Sequence, residues 1–224
     1  MTTSRSIQAG DAAVSDWRRY PDLELPTILE VALAHIVEHG YDATSVRTLA
    51  REVGVTVPAL YYHYENKQAM LMALLEHAMT MVSSHLEAAL AEAGEDPVRR
   101  LSVVVEAIVL YMARHRDLAF LDSERRSLTP DNLRRYLEHR DRIDRQLEAA
   151  IEDGCAAGVF TTPIPREARR AILSMCQGIA GWFRPGGPKT PAETAADYVR
   201  IALASVEYTA LQGTAETGLL PGDA

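Results

Sequence analysis

Arg47, Val57, Pro58, Ala59 and Tyr62 crowd with their neighbours into residues 45–67, SVRTLAREVGVTVPALYYHYENK. An arginine guanidinium can fork onto the O6 and N7 edge of guanine, and Val57, Ala59 and the Pro58 ring offer apolar contact to thymine methyls. Core packing explains the cluster Val57, Pro58, Ala59, Tyr61, Tyr62 and His63 poorly; a reading surface explains it well. The chemistry on offer is recognition of base edges.

Such a surface needs rigid elements to present it. Ser45 reads as the N-cap of a short helix whose inward face is Val46, Leu49, Ala50 and Val53. Gly54 permits a sharp turn and Thr56 caps the next helix. Pro58 falls in that helix's first turn, where its missing N–H costs little. Leu60 and Tyr64 anchor this helix inward, and Asn66 caps a third. That layout is a helix-turn-helix, in which one helix supports another that enters the major groove.

Upstream, Ile28, Leu29, Ala32, Leu33, Ile36 and Val37 recur at helical spacing, and Gly40 stops the run. Downstream, helices are expected at 67–93, 97–115, 117–126, 130–157, 165–184 and 191–212. No stretch alternates with period two, so no strand is expected. The fold class is all-α. Residues 1–22 read as a mobile arm, 23–68 as the helix-turn-helix unit, 69–213 as a second helical domain and 214–224 as a flexible tail.

Bulk composition narrows the function classes. Net charge is −8, and residues 1–70 alone carry six Lys/Arg against nine Asp/Glu, a balance of −3. A nonspecific binder needs many phosphate contacts, so this chain must rely on a few placed ones, presented in two copies. No apolar run reaches the roughly 18 residues of a membrane span, and the N-terminus has no signal-type segment. Cys155 and Cys176 lack zinc or redox spacing and read as reduced thiols in a cytoplasmic protein. His35 and His39 have metal spacing but no third ligand, which makes them solvated histidines. There is no GxSxG, P-loop, zinc signature or Cys/His pair, so neither catalysis nor a cofactor is expected.

These residues support a family resemblance. Gly40, Ser45-Val46-Arg47-Thr48-Leu49-Ala50, Gly54-Val55-Thr56, Leu60-Tyr61-Tyr62-His63-Tyr64 and Asn66-Lys67 together resemble the DNA-binding domain of the TetR (tetracycline-repressor-type) family. The resemblance implies that Ser45, Tyr61, His63 and Lys67 hold phosphates, with Thr44 beside them, while Arg47, Thr56, Val57, Pro58, Ala59 and Tyr62 lie where bases are read. Lys67 carries its own argument: a cation in the first turn of a helix opposes the dipole and needs a partner, which a phosphate at that N-terminus would supply. Tyr64 reads as core, and His63 can equally satisfy a local carbonyl.

The family's second domain holds a ligand cavity and a dimer interface, and the resemblance implies both here. The last two helices carry Ala168, Ala171, Ile172, Met175, Ile179, Tyr198, Ile201, Ala202, Ser205 and Val206 as the expected dimer face. Candidate ligand residues are Ile108, Tyr111, Phe120, Arg125, Tyr136, Met175, Ile179, Trp182 and Arg184. The stretch from Gly178 to Gly187, together with that from Val55 to Lys67, resembles a TetR subgroup that senses acyl-coenzyme A thioesters, and the resemblance implies such an effector. With Arg126, the arginines could meet its anionic phosphates, and Trp182 could stack on adenine. Another hydrophobic or aromatic ligand is the alternative, as is a ligand-independent DNA-binding protein. The stretch around Trp182-Phe183-Arg184 reads equally well as a helix cap with an aromatic core plug.

Overall fold

The computed structural model describes residues 16–209. Among these, nine α-helices and one 3₁₀ segment account for the fold. Most begin at signals written locally. Ser45, Thr56, Asn66, Asp96, Thr129 and Thr190 each accept a backbone N–H at a helix start, and proline follows directly at Pro97, Pro130 and Pro191.

The first three helices form the smaller unit: α1 (Thr27–His39), α2 (Val46–Val53) and α3 (Val57–His63). Leu29, Ala32, Leu33 and Ile36 of α1, Leu49 and Ala50 of α2 and Leu60 of α3 are all buried in the core, with α2 packed on both α1 and α3. Gly54 ends α2 at φ 78°, a left-handed conformation that glycine adopts without steric cost. His35, expected to be solvated, instead ties α1 to α2 through Nε2 at 2.6 Å from Glu52.

The larger unit is built around α5 (Pro97–Arg114), which buries ten residues. Around it pack α4 (Lys67–Ala93), α7 (Pro130–Ala156), α8 (Pro165–Trp182) and α9 (Pro191–Ser205). A helix surrounded on all sides must be apolar nearly all round, and the run Leu101 to Ala113 is. Because α4 belongs to both units, any shift of its axis is felt in each.

Three expectations need correction. The expected helix over 117–126 is α6 (Arg116–Phe120) followed by the 3₁₀ segment Leu121–Ser127. There Ser123 Oγ and the Arg125 guanidinium donate to the carbonyls of Phe120 and Asp122, side-chain bonds that compete with a regular α ladder. Helix α9 stops at Ser205 instead of 212. The chain turns at Glu207 (φ 54°), the Val206 carbonyl accepts from Thr161 and Thr162, and Tyr208 pairs with Phe160 in an isolated antiparallel bridge.

Residues 16–22, expected in a mobile arm, are docked. Trp17 is 3 % exposed and Tyr20 is 7 % exposed, with the Trp17 indole donating to Glu92 and the Tyr20 hydroxyl to the Ala107 carbonyl. Burying two large aromatic rings outweighs the polar character of their neighbours; each is worth about 1.5–3 kcal/mol. Residues 1–15 of that arm, and the tail 214–224, lie outside the described residues.

Candidate functional site

Helix α3 projects its side chains from a closed base. Leu60 is fully buried and Tyr64 is half-buried against the same core, whereas Tyr61 is 45 % and Tyr62 83 % exposed. Burial pushes the Tyr64 hydroxyl pKa upward. Pro58, Ala59 and His63 are exposed, Val57 is half-buried, and the Tyr62 and His63 rings meet edge to face at 5.6 Å. Thr56 holds the start of the helix by accepting the Ala59 N–H at 3.3 Å. On α2, Arg47 is exposed, and Ser45 accepts the Thr48 N–H while its hydroxyl lies 2.8 Å from that of Thr48. Exposed on α2 and α3 are thus an arginine, two tyrosines, a histidine and small apolar groups.

Lys67 and Thr44 stand apart from that face. The Lys67 ammonium donates to the carbonyls of Tyr41 at 2.7 Å and Thr44 at 3.0 Å, and lies 4.0 Å from the centre of the Tyr41 ring. The partner that its position demands is therefore internal, and burial holds its pKa below the usual lysine range. Thr44 is buried, and its hydroxyl donates to the Gly40 carbonyl. Both shape the α1–α2 connection.

Gln68, which sequence reasoning passed over, joins the two units. Its amide donates to the Tyr41 hydroxyl at 3.1 Å and to the Ser127 carbonyl, and its oxygen accepts from the Thr129 N–H at 3.1 Å and the Asn132 amide at 3.2 Å. A glutamine at the second position of a long helix carries no local signal of such a role.

The larger unit contains a cavity of about 380 Å³, within the usual size range for a small-molecule site. Leu75, Ala78, Met79 and Val82 of α4 line one side, and Ile108, Tyr111 and Met112 of α5 another. Phe120, Asp122 and Arg125 from α6 and the 3₁₀ segment, Tyr136, Arg140, Ile143 and Asp144 from α7, and Leu173 and Gln177 from α8 complete it. Asp122 is the polar hub. It accepts from the Tyr136 hydroxyl at 2.6 Å, from Arg140 at 3.0 Å and from Arg125 at 2.7 Å. Burial raises the Tyr136 and Tyr111 hydroxyl pKa values, and the Asp122 charge adds to both. Two buried wall atoms have no hydrogen-bond partner among the described residues: the Tyr111 hydroxyl and Asp144 Oδ1.

Of the expected ligand residues, Ile108, Tyr111, Phe120, Arg125 and Tyr136 line this cavity. Met175, Ile179, Trp182 and Arg184 do not. Ile179 is sealed in the core, and Met175 is half-buried outside the cavity wall. Arg184 donates to the carbonyls of Phe183 and Gly181, closing the end of α8, while Phe183 is buried as a plug. Trp182 is 51 % exposed and stacks on Tyr198 of α9 at 6.3 Å. Arg184, expected to meet phosphates, is thus part of a helix cap, and Trp182, expected to stack on adenine, stacks on α9. The α4 contribution to the cavity was hidden, because Leu75, Ala78 and Val82 look like any buried helix face.

The expected dimer face divides likewise. Ala168, Ile172, Ile179, Ala202 and Val206 are buried within the chain's own core. Ala171 and Ile201 are exposed, and Met175, Tyr198 and Ser205 are half-buried.

Comparison with known proteins fits both units. The family model for bacterial regulatory proteins of the tetR family matches residues 28–74, and that for the tetracyclin repressor-like C-terminal domain matches residues 94–206. The HTH-type transcriptional repressor KstR2 of Mycobacterium tuberculosis is 24 % identical over 182 residues, 80 % of this chain and 90 % of the relative. A tetR-family regulatory protein from Rhodococcus RHA1 is 28 % identical with a TM-score of 0.76, covering 82 % of this chain and 97 % of that one. AibR, solved with isovaleryl coenzyme A and operator DNA, is 25 % identical with a TM-score of 0.68, covering 78 % and 95 %. With both units matched in order, over half the chain by the C-terminal model alone, this protein belongs to the TetR family of bacterial transcriptional regulators.

Proposed function

We propose that the protein is a homodimeric, ligand-responsive transcriptional repressor of the cytoplasm, which binds a palindromic operator through α3 and leaves it when a small molecule fills the cavity. The observation that carries this reading is the exposure of Tyr62, 83 %, on a helix whose Leu60 is completely sealed. A seven-residue helix with that split is held for presentation. Arg47, Val57, Pro58, Ala59 and Tyr62 take the base-reading roles, and Ser45, Tyr61 and His63 the phosphate roles.

Two heads must reach major grooves about 34–36 Å apart, so two copies are needed. The exposed Ala171, Trp182 and Ile201 with the half-buried Tyr198 form the proposed mutual face of α8 and α9. Helix α4 supplies the linkage, because it lines the cavity with Leu75, Ala78 and Val82 and holds the Tyr41–Thr44 turn with Lys67. A ligand that displaces α4 changes the separation of the heads and so opposes DNA binding, and DNA opposes the ligand by the same factor.

The effector is proposed to be an acyl-coenzyme A thioester, on the likeness to AibR and on an apolar cavity of acyl-chain dimensions. The whole cofactor is too large for that volume, so its nucleotide would stay at the rim. A second reading, a compact hydrophobic or aromatic molecule without a nucleotide, is favoured by the position of Trp182 and Arg184 away from the cavity. Selection of bound duplexes from a random library, followed by anisotropy titrations with and without an acyl-coenzyme A series, tests the proposal. A palindromic site released by thioester supports it; recovery of no preferred sequence overturns it. Ile201→Arg should convert the dimer to monomer by native mass spectrometry.

A further inference from the structure

Tyr111 is 1 % exposed and lines the cavity, and its hydroxyl has no hydrogen-bond partner among the described residues. Buried hydroxyls in folded proteins are nearly always paired, so a stranded one in a cavity wall points to a missing acceptor. No described residue supplies that acceptor: His115, whose ring centre lies 5.8 Å from that of Tyr111, leaves its own Nε2 unpartnered as well. Asp122, whose charge reaches Tyr111, already accepts from Tyr136, Arg140 and Arg125. Tyr20, whose ring centre lies 6.0 Å from that of Tyr111, donates its hydroxyl to the Ala107 carbonyl and makes no hydrogen bond to Tyr111. The surfaces that share the cavity with Tyr111 on α4 and α5, from Leu75 and Val82 to Ile108 and Met112, are apolar.

We infer that Tyr111 is the specificity-determining residue of the cavity, its hydroxyl donating to the carbonyl oxygen of an otherwise apolar ligand. This rests on the cavity being the effector site and adds the functional group it recognises: a ketone, ester or thioester. A carbonyl suits the site because its oxygen accepts through two lone pairs and brings no proton needing a second acceptor in an apolar wall. A carboxylate suits it poorly, since it would place an unpaired charge against the apolar wall of α4 and α5 while the cavity's arginines, Arg125 and Arg140, are already bonded to Asp122.

The test uses two isosteric probes, 2-decanone and 2-methyl-1-decene, which differ only in C=O against C=CH2. Binding to full-length protein is read from headspace partitioning of each volatile probe. Tyr111→Phe should weaken 2-decanone by about tenfold, the worth of one net hydrogen bond, and leave the alkene within about twofold. Unchanged ketone affinity, or equal loss of both probes, overturns the inference while leaving the cavity as a ligand site. Failure of either probe to bind the unsubstituted protein overturns the cavity reading, and the inference with it. An independent readout needs no variant: the infrared carbonyl band of bound, ¹³C-labelled 2-decanone should fall below its frequency in hexane. An unshifted band refutes the hydrogen bond.

Discussion

Tyr62 and Lys67 sit five positions apart and have opposite fates. Tyr62 points outward with nothing to satisfy within the chain, so Tyr62→Ala should leave the melting temperature nearly unchanged. Its cost falls on operator binding, about 1–3 kcal/mol with relaxed sequence preference, measured by anisotropy across single-base operator variants. Lys67 is the reverse. Its ammonium bonds two backbone carbonyls, of which Tyr41 keeps the Thr44 N–H and Thr44 would lose its side-chain donor, so Lys67→Ala should destabilise the head by about 1–3 kcal/mol in urea unfolding. A Lys67→Ala protein of native stability with a flattened salt dependence would restore the phosphate role. A side chain's chemistry was readable from the sequence here; its direction was not, because lysine can turn inward as easily as outward.

At the scale of elements, the junction at Gln68 matters most. It bonds the Tyr41 hydroxyl of the head on one side, and on the other Ser127, Thr129 and Asn132, where the 3₁₀ segment meets α7. The same 3₁₀ segment carries Asp122 and Arg125 of the cavity wall. Gln68→Ala removes the only side-chain acceptor of the Thr129 N–H among the described residues, so hydrogen exchange should quicken at Thr129 while helix content by circular dichroism stays constant. Unaltered protection there would show that the joint is carried elsewhere. The helices themselves were legible: capping side chains, prolines at first turns and Gly40, Gly54 and Gly94 act on their immediate neighbours. Their exceptions were not. Helix α9 ends early because Phe160, far away in sequence, claims Tyr208.

The whole molecule sets two solution properties. Arg47 and Arg51 are exposed on α2 while Lys67 is turned inward, and the net charge is −8. With about four exposed cations on the two heads of the proposed dimer, log affinity for operator should fall with log salt at a slope no steeper than about −4. A slope twice that would mean phosphate contacts from residues outside this face. Acid stability is the second property. His115 is buried beside Tyr20 and Tyr111, and burial, with His85, His77 and Arg114 adding, pushes its pKa down to about 4 against a slight upward pull from Asp22. The native state keeps this ring neutral while the unfolded chain protonates it near 6.5, so protons favour unfolding. Stability from this site is complete above pH 6.5 and drains away as pH falls toward 4. His115→Gln should flatten the urea midpoint across that window; parallel curves for the two proteins would dismiss the ring as a source.

The all-α class, the caps that bound α2, α3 and α4 and the exposed side of α3 were present in the sequence alone, because caps, glycines and short apolar periods report on residues a turn or two away. Five of the nine expected ligand residues line the cavity, since large apolar and aromatic groups in mid-domain helices have few other places to go. The remainder was decided in three dimensions. Whether Lys67 faces a phosphate or a carbonyl, whether Trp17 hangs free or docks on α4 and α5, and whether Trp182 meets a cavity or α9 depend on partners remote along the chain. Local patterns carry no record of such encounters, and only packing settles which of them occur.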